Sequence, residues 1–336
     1  MKSRYRTLLA GLAFCVSAFG AESVPVVEAV ADKGSSRRRS GIEITSTGVR
    51  LFRDGRLLWN FEIDTPEGRP FFHPLNLPSG KPFTDLRPKD HIWHLGFWFS
   101  WKFINGINYW EPADAKCAGV EPAGRTRVTG KSISRNGLGC TVRLNLEYGP
   151  RAEKSPVLVE ERMVEIDPPD QDGGYAIGIR HLFTARRDAM LDRTPPHGST
   201  ASDKWGGGYA GPTLRLAESV AAAFDVRGSA GGRTPAAVTG IETKSLDFTD
   251  RETGEGVTFV QVTAPDTARF YVWPDKRMVN PSPLYTGPFT LKKGETLELA
   301  YRLVVYARQH KDHRAGHSRR SVHREPAGDL FCFIQH

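Results

Sequence analysis

Three histidines, His73, His91 and His94, fall in one stretch, residues 69 to 111, with Asp90, Glu111 and four of the chain's seven tryptophans, Trp93, Trp98, Trp101 and Trp110. An imidazole takes and returns protons near neutral pH, and a neighbouring carboxylate fixes its tautomer and orientation. Aromatic faces stack on the C–H faces of a pyranose, while amides and charged groups meet its hydroxyls. The chemistry these residue types point to is acid–base work on a sugar. His73, His91, His94, Asp90 and Glu111 are the candidate catalytic residues, and Trp98, Trp110, Asn105 and Asn108 the candidate substrate contacts. Each also has a structural reading: a hydrogen-bonded histidine, an aspartate capping the turn after Pro88, a strand pair rich in aromatics.

The same histidines pose the alternative of a divalent metal. On a helix, residues at i and i+3 share a face, but on a strand His91 and His94 would point to opposite faces. Gly96-Phe97-Trp98-Phe99 continues as a strand, so joint ligation by that pair needs a loop or bulge at residues 90 to 94. His73 with one of the two is the other arrangement.

The elements that must position these groups are strands. Runs at residues 42–45, 49–52, 57–61, 142–148, 175–183, 258–263, 269–273 and 297–306 alternate apolar and polar residues between Gly, Pro and Asp breaks. That period of two marks half-buried strands. Residues 217–224 form the only Ala-rich stretch, about two helical turns long. An all-β fold follows, a large antiparallel β-sandwich with few short helices, as a single domain over residues 41–308. Within the 175–183 run, Arg180-His181 is a secondary site candidate.

The ends read differently. Lys2, Arg4 and Arg6 precede an apolar run at residues 8–19, with small residues at Ala18 and Gly20. This is the layout of a secretory signal peptide over residues 1–20, and it predicts export to the periplasm or beyond. Phe14 is bulkier than a lipoprotein signal tolerates before its cysteine, so a lipid anchor at Cys15 is not expected. Residues 21–40 read as a flexible lead-in and residues 309–336 as a basic, disordered tail. No later run approaches the roughly 20 apolar residues of a membrane helix. The net charge of +8 gathers at the ends, at Arg37, Arg38 and Arg39 and again at Arg314, Arg319, Arg320 and Arg324. Solvated tails on an exported chain do not point to nucleic acid as a partner. A Cys117–Cys140 disulfide would suit an oxidising compartment, and whether their Cβ atoms meet decides it.

Five ordered elements carry a family resemblance: Phe72-His73-Pro74, the turn from Gly80 to Thr84, Asp90-His91 through His94-Leu95-Gly96-Phe97-Trp98-Phe99, Asn105-Gly106, and Trp110. Asp203-Lys204-Trp205-Gly206-Gly207, Arg215 and a closing strand at residues 299–306 extend it more weakly. The chain resembles the uncharacterised family labelled methane oxygenase PmoA-like, a DUF6807-type domain. The resemblance implies a galactose-mutarotase-like supersandwich and a carbohydrate or glycoside as partner, with Lys204 and Arg215 as further substrate contacts. A membrane oxygenase subunit needs spanning helices, which this sequence lacks. The leading expectation is therefore an exported carbohydrate-active hydrolase, lyase or epimerase. A non-catalytic glycan-binding module is the alternative, and a metal-dependent oxidoreductase, as the label implies, is the third reading. The glycines after Lys204 lack the strand-to-helix context of a phosphate loop.

Intact-mass measurement of exported material is expected to show a mature start at Ala21 or Glu22. Recovery of full-length chain alone, from the cytoplasm, would overturn the export reading.

Overall fold

Alternation at period two becomes twenty strands in the computed structural model, which describes residues 40–112, 121–196 and 207–308. They are β1 (Gly41–Ile44), β2 (Gly48–Arg53), β3 (Arg56–Glu62), β4 (Phe71–Leu75), β5 (Phe97–Ser100), β6 (Phe103–Ile104), β7 (Ile107–Asn108), β8 (Gly124–Asn136), β9 (Gly139–Pro150) and β10 (Leu158–Ile166). The second half adds β11 (Tyr175–Ala185), β12 (Ala189–Asp192), β13 (Gly211–Arg215), β14 (Phe224–Gly228), β15 (Ser245–Asp250), β16 (Gly256–Thr263), β17 (Arg269–Trp273), β18 (Met278–Ser282), β19 (Phe289–Leu291) and β20 (Thr296–Tyr306). Two short helices, α1 (Glu218–Ala223) and α2 (Pro235–Val238), interrupt them. α1 falls on the Ala-rich stretch. No helix among the described residues is long and apolar enough to cross a membrane.

All ladders are antiparallel. One eight-stranded sheet runs β1-β2-β3-β4-β5-β13-β18-β17, a second runs β14-β15-β16-β20-β11-β10-β9-β8, and a four-stranded sheet runs β19-β12-β6-β7. The two large sheets share one apolar core, with Val49, Trp59, Phe61, Phe72, Phe97 and Phe99 from the first meeting Leu144, Leu146, Ile177, Phe183, Phe259 and Leu303 from the second. Phe97 packs edge-on to Phe259 at 5.4 Å, and Phe99 lies 5.4 Å from Phe183. The all-β antiparallel sandwich expected from the sequence is the fold.

Strands of the second sheet, such as β10 and β20, bury alternate residues and leave the others to solvent. β5, β13 and β18 of the first sheet are instead buried at every position. Their outer face is covered by a second, smaller cluster built around Phe71, Leu95, Trp98, Trp110, Tyr271 and Met278. That second covering is where the candidate site lies.

The sandwich interior also holds charge. Glu160 and Arg162 are two apart on β10, so both point inward. The Glu160 carboxylate accepts from Arg162 Nε (2.6 Å) and Nη2 (2.9 Å), from His181 Nδ1 (2.7 Å) and from the Tyr148 hydroxyl. Burial would raise the Glu160 pKa, but the Arg162 and His181 interactions outweigh it and hold it at about 2. The leader, the tail, Cys117 and Lys204 lie outside the described residues. Cys140 is a free, buried thiol, and burial pushes its pKa up to about 12.

Because the Glu160 carboxyl is more acidic folded than unfolded, its stabilisation is complete above the ordinary carboxylate pKa of 4.5 and disappears as pH falls through about 2. Glu160→Gln strands a buried guanidinium and is expected to cost about 3–5 kcal/mol by denaturant titration at neutral pH. An unchanged midpoint would show that the network contributes nothing to stability.

Candidate active site

The stretch 69 to 111 crosses the covered outer face of the first sheet. Along β5, Phe97 and Phe99 enter the sandwich core, so Trp98 between them faces outward. Gly96 precedes this strand with φ +74°, and a Cβ there would sit 2.4 Å from the Phe72 carbonyl oxygen and 2.9 Å from His73 Cβ. Only glycine permits that approach of β5 to β4. Its effect is to deliver the preceding loop, with both histidines, onto the sheet.

That loop resolves the spacing of His91 and His94. The His91 amide donates to the Pro88 carbonyl (2.9 Å) and the His94 amide to the His91 carbonyl (2.9 Å). Two successive turns replace the strand geometry, and the rings lie 4.7 Å apart on one side. Trp98 backs His94 at 5.1 Å, and Trp93 and Trp273 approach His91 at 5.0 and 6.1 Å.

Asp90 organises the charges. Its Oδ1 accepts from Arg215 Nη2 (2.8 Å), and its Oδ2 meets His91 Nδ1 (3.1 Å) and Lys276 Nζ (3.4 Å). Burial would raise its pKa, but the Arg215 bond and charge, with His91 adding to them, hold it well below the usual carboxylate range. Asp90 is therefore an ionised acceptor, and His91 must present Nδ1–H to it. His91 Nε2 is left without a hydrogen-bond partner among the described residues. Burial draws the His91 pKa down and Asp90 opposes it, so the ring is neutral at pH 7.

His94 is wired differently. Arg215 Nη1 donates to its Nδ1 (3.3 Å), and because a guanidinium only donates, that nitrogen carries no hydrogen. Burial, then His91 and Arg215, push its pKa well below the ordinary value. His94 is a fixed, neutral ring at 2% exposure.

A model of a family of unknown function, DUF6807, matches residues 48–318. The chain belongs to that family. Among curated proteins none matches it. Among solved structures, an alpha-galactosidase from Lactobacillus brevis is similar at 10% identity and a TM-score of 0.36, over 79% of this chain and 39% of that one. This DUF6807 chain thus spans less than half of that protein's length.

Other expected site residues of the DUF6807 chain are placed elsewhere. His73, on β4, shares its Nδ1 hydrogen bond with the Thr84 hydroxyl (3.1 Å), and no ring contact joins it to His91 or His94. Among the described residues no three His, Cys, Asp or Glu side chains are placed to hold a metal ion. The ligand set His73, His91 and His94 is not assembled. Glu111 lies across Trp110, ion-paired with Lys102 and accepting from Asn108 Nδ2 (3.0 Å). Asn108 also accepts from the Trp110 amide (2.8 Å), so it holds the chain around Trp110 in place. Asn105 is a turn residue with φ +51°, bonded to the Asp188 carbonyl and the Met190 amide, and its amide is used up there. Trp98 and Trp110 are 2% and 1% exposed. They form the wall behind the histidines rather than open stacking faces.

The half-buried Trp93 and Trp273 offer ring surface instead. Trp273 also borders a cleft of about 330 Å³ that Phe224, Phe248, Arg277 and Met278 help to line. Sequence reasoning did not single out Trp273, Lys276, Lys102 or Arg69. The first had a usable signal, since Phe270 and Val272 are core residues and the aromatics alternating with them must face the other way.

Gly96→Ala forces an L-residue into a left-handed backbone against a carbonyl oxygen, and is expected to lower stability by about 1–3 kcal/mol. Thermal melts check this, and an unchanged Tm would show that β4 and β5 separate without cost.

Proposed function

We propose that this protein is an exported carbohydrate-active enzyme in which His91 acts as general base and acid on a sugar. The Asp90–His91 pair carries the reading. The Asp90 carboxylate receives Nδ1–H, the tautomer is fixed, and the opposite ring nitrogen carries the lone pair with no hydrogen-bond partner among the described residues. General acid–base catalysis needs this arrangement. Trp93 and Trp273 beside the ring supply faces for a pyranose, and Arg215 and Lys276 keep Asp90 ionised while its neighbour changes protonation.

In this scheme His91 Nε2 takes a proton from a sugar carbon or hydroxyl, and Asp90 stabilises the imidazolium that forms. The same nitrogen then returns the proton to the product. His94 does not titrate in the working range. It acts as a rigid surface between His91 and Trp98 and as the acceptor that fixes Arg215. Hydrolysis, elimination and epimerisation all use such a step.

A non-catalytic glycan-binding module is the second reading. It is favoured by the half-buried Trp93 and Trp273, which would serve it equally well, but it leaves the oriented imidazole unexplained.

Incubation of the mature protein with a panel of glycans and glycosides, with and without chelator, tests the proposal. On any substrate turned over, His91→Gln is expected to lower kcat/KM by roughly 10²–10⁴ with the circular dichroism spectrum retained. Activity should fall on acidification through a pKa below 6.5, as the base becomes protonated. Asp90→Asn removes an influence that raises that pKa, so the acid limb should move to lower pH and the rate should drop. Full activity in His91→Gln would overturn the role, and binding of sugar without turnover of any would favour the module.

A further inference from the structure

We infer that the sugar is anionic, bearing a carboxylate or sulfate that Arg69 and Arg215 receive. The inference rests on the sugar-site reading above and names the class of ligand.

Two buried arginines act on His94, Arg215 at 1% and Arg69 at 3% exposure. Arg215 has its counter-charge in Asp90. Arg69 has none. Its one hydrogen bond runs from Nη1 to the Trp110 carbonyl (3.0 Å), a neutral acceptor, and no carboxylate among the described residues lies within ion-pair distance of it. The acids that act on it through space, Glu67 and Glu121, are held by Arg87 and by Arg151 (2.6 Å) respectively. The Nε of both Arg69 and Arg215 is buried without a partner.

The same chain shows what a structural buried arginine looks like. Arg162 spends Nε and Nη2 on one carboxylate and has its charge matched. A buried cation left uncompensated is strongly destabilising, which is why such groups are ordinarily paired. Among the described residues Arg215 and Lys276 pair with Asp90 and Lys102 pairs with Glu111, which leaves Arg69 as a surplus buried cation. A neutral sugar leaves that surplus standing. An anionic one answers it with charge-assisted bonds of the fork geometry that guanidinium groups favour.

The test is calorimetric, on the wild-type mature protein. Oligosaccharides ending in galacturonate or glucuronate are compared with their methyl esters, with the neutral galactose- and glucose-ended parents, and with 6-sulfated forms. A carboxylate or sulfate ligand is expected to bind about tenfold to a hundredfold more tightly than its neutral counterpart. Added salt should weaken the anionic arm alone, and whichever anion binds more tightly names the source of the charge. Arg69→Gln should abolish the preference and Arg69→Lys restore part of it. If Arg69→Gln fails to fold, the ester comparison on the wild type decides. Equal binding of anionic and neutral sugars would overturn this inference and leave the sugar site standing. Failure of every sugar to bind would overturn both.

Discussion

Burial of the central first-sheet strands on both faces is the constraint from which the site follows. A strand covered on one side can alternate apolar and polar residues, but β5 must find partners for both sets. Phe97 and Phe99 find theirs in the opposite sheet, and Trp98 finds His94 and Trp110. The covering layer is a loop rather than a third sheet, so isolated bridges, Leu86 to Leu95 and Thr84 to Leu216, and side chains must hold it. Arg215 does so from β13, reaching Asp90 with one nitrogen and His94 with another. One guanidinium thereby fastens both ends of the turn that carries the histidines.

Two polar networks in this molecule resemble each other in composition and differ in exposure. Glu160, Arg162, His181 and Tyr148 are closed off from solvent between the sheets, with the carboxylate meeting four donor atoms and His181 Nε2 buried without a hydrogen-bond partner among the described residues. Asp90, His91, Arg215 and Lys276 share a carboxylate in the same way, yet Asp90, Lys276 and His91 remain partly exposed. A closed network specifies a structure but offers a ligand no access. An open one on a rigid sheet does both. The secondary candidate Arg180-His181 divides along this line, since His181 belongs to the closed network and Arg180 pairs with Glu298 at the surface.

Period two was enough to read the sandwich, because apolar alternation in β2, β3, β9, β11, β16 and β20 reflects a single buried face. It could not separate one covered face from two, and the outer layer went unseen for that reason. The histidine spacing was legible only as far as its alternatives. The turns at Pro88 and His91 are fixed by tertiary contact with β13, far along the chain. An amide in a left-handed turn and an amide in a sugar site look alike in sequence, and only the fold places Asn105 in such a turn. Arg69 carried a faint signal, a lone charge two residues ahead of β4. Lys102 and Lys276 carried none, since a lone lysine is normally solvated and only the fold places one on Tyr209 and the other beside Trp273.

The three histidines of the dense segment thus divide by their partners rather than by their positions. A donor to Nδ1 fixes His94 as neutral, and a hydroxyl meets His73. Only His91 is hydrogen-bonded to a carboxylate, and Asp90 there opposes the burial that draws its pKa down. Because Asp90 already answers Arg215 and Lys276, a proton on His91 adds a third cation around one carboxylate, and the gain is limited. That limit keeps the imidazole from being trapped in its charged form, as an isolated Asp–His pair would tend to be. The arginine that holds the loop in place therefore also tunes the base it positions, and the architecture of the covering layer and the chemistry proposed for it rest on the same side chain.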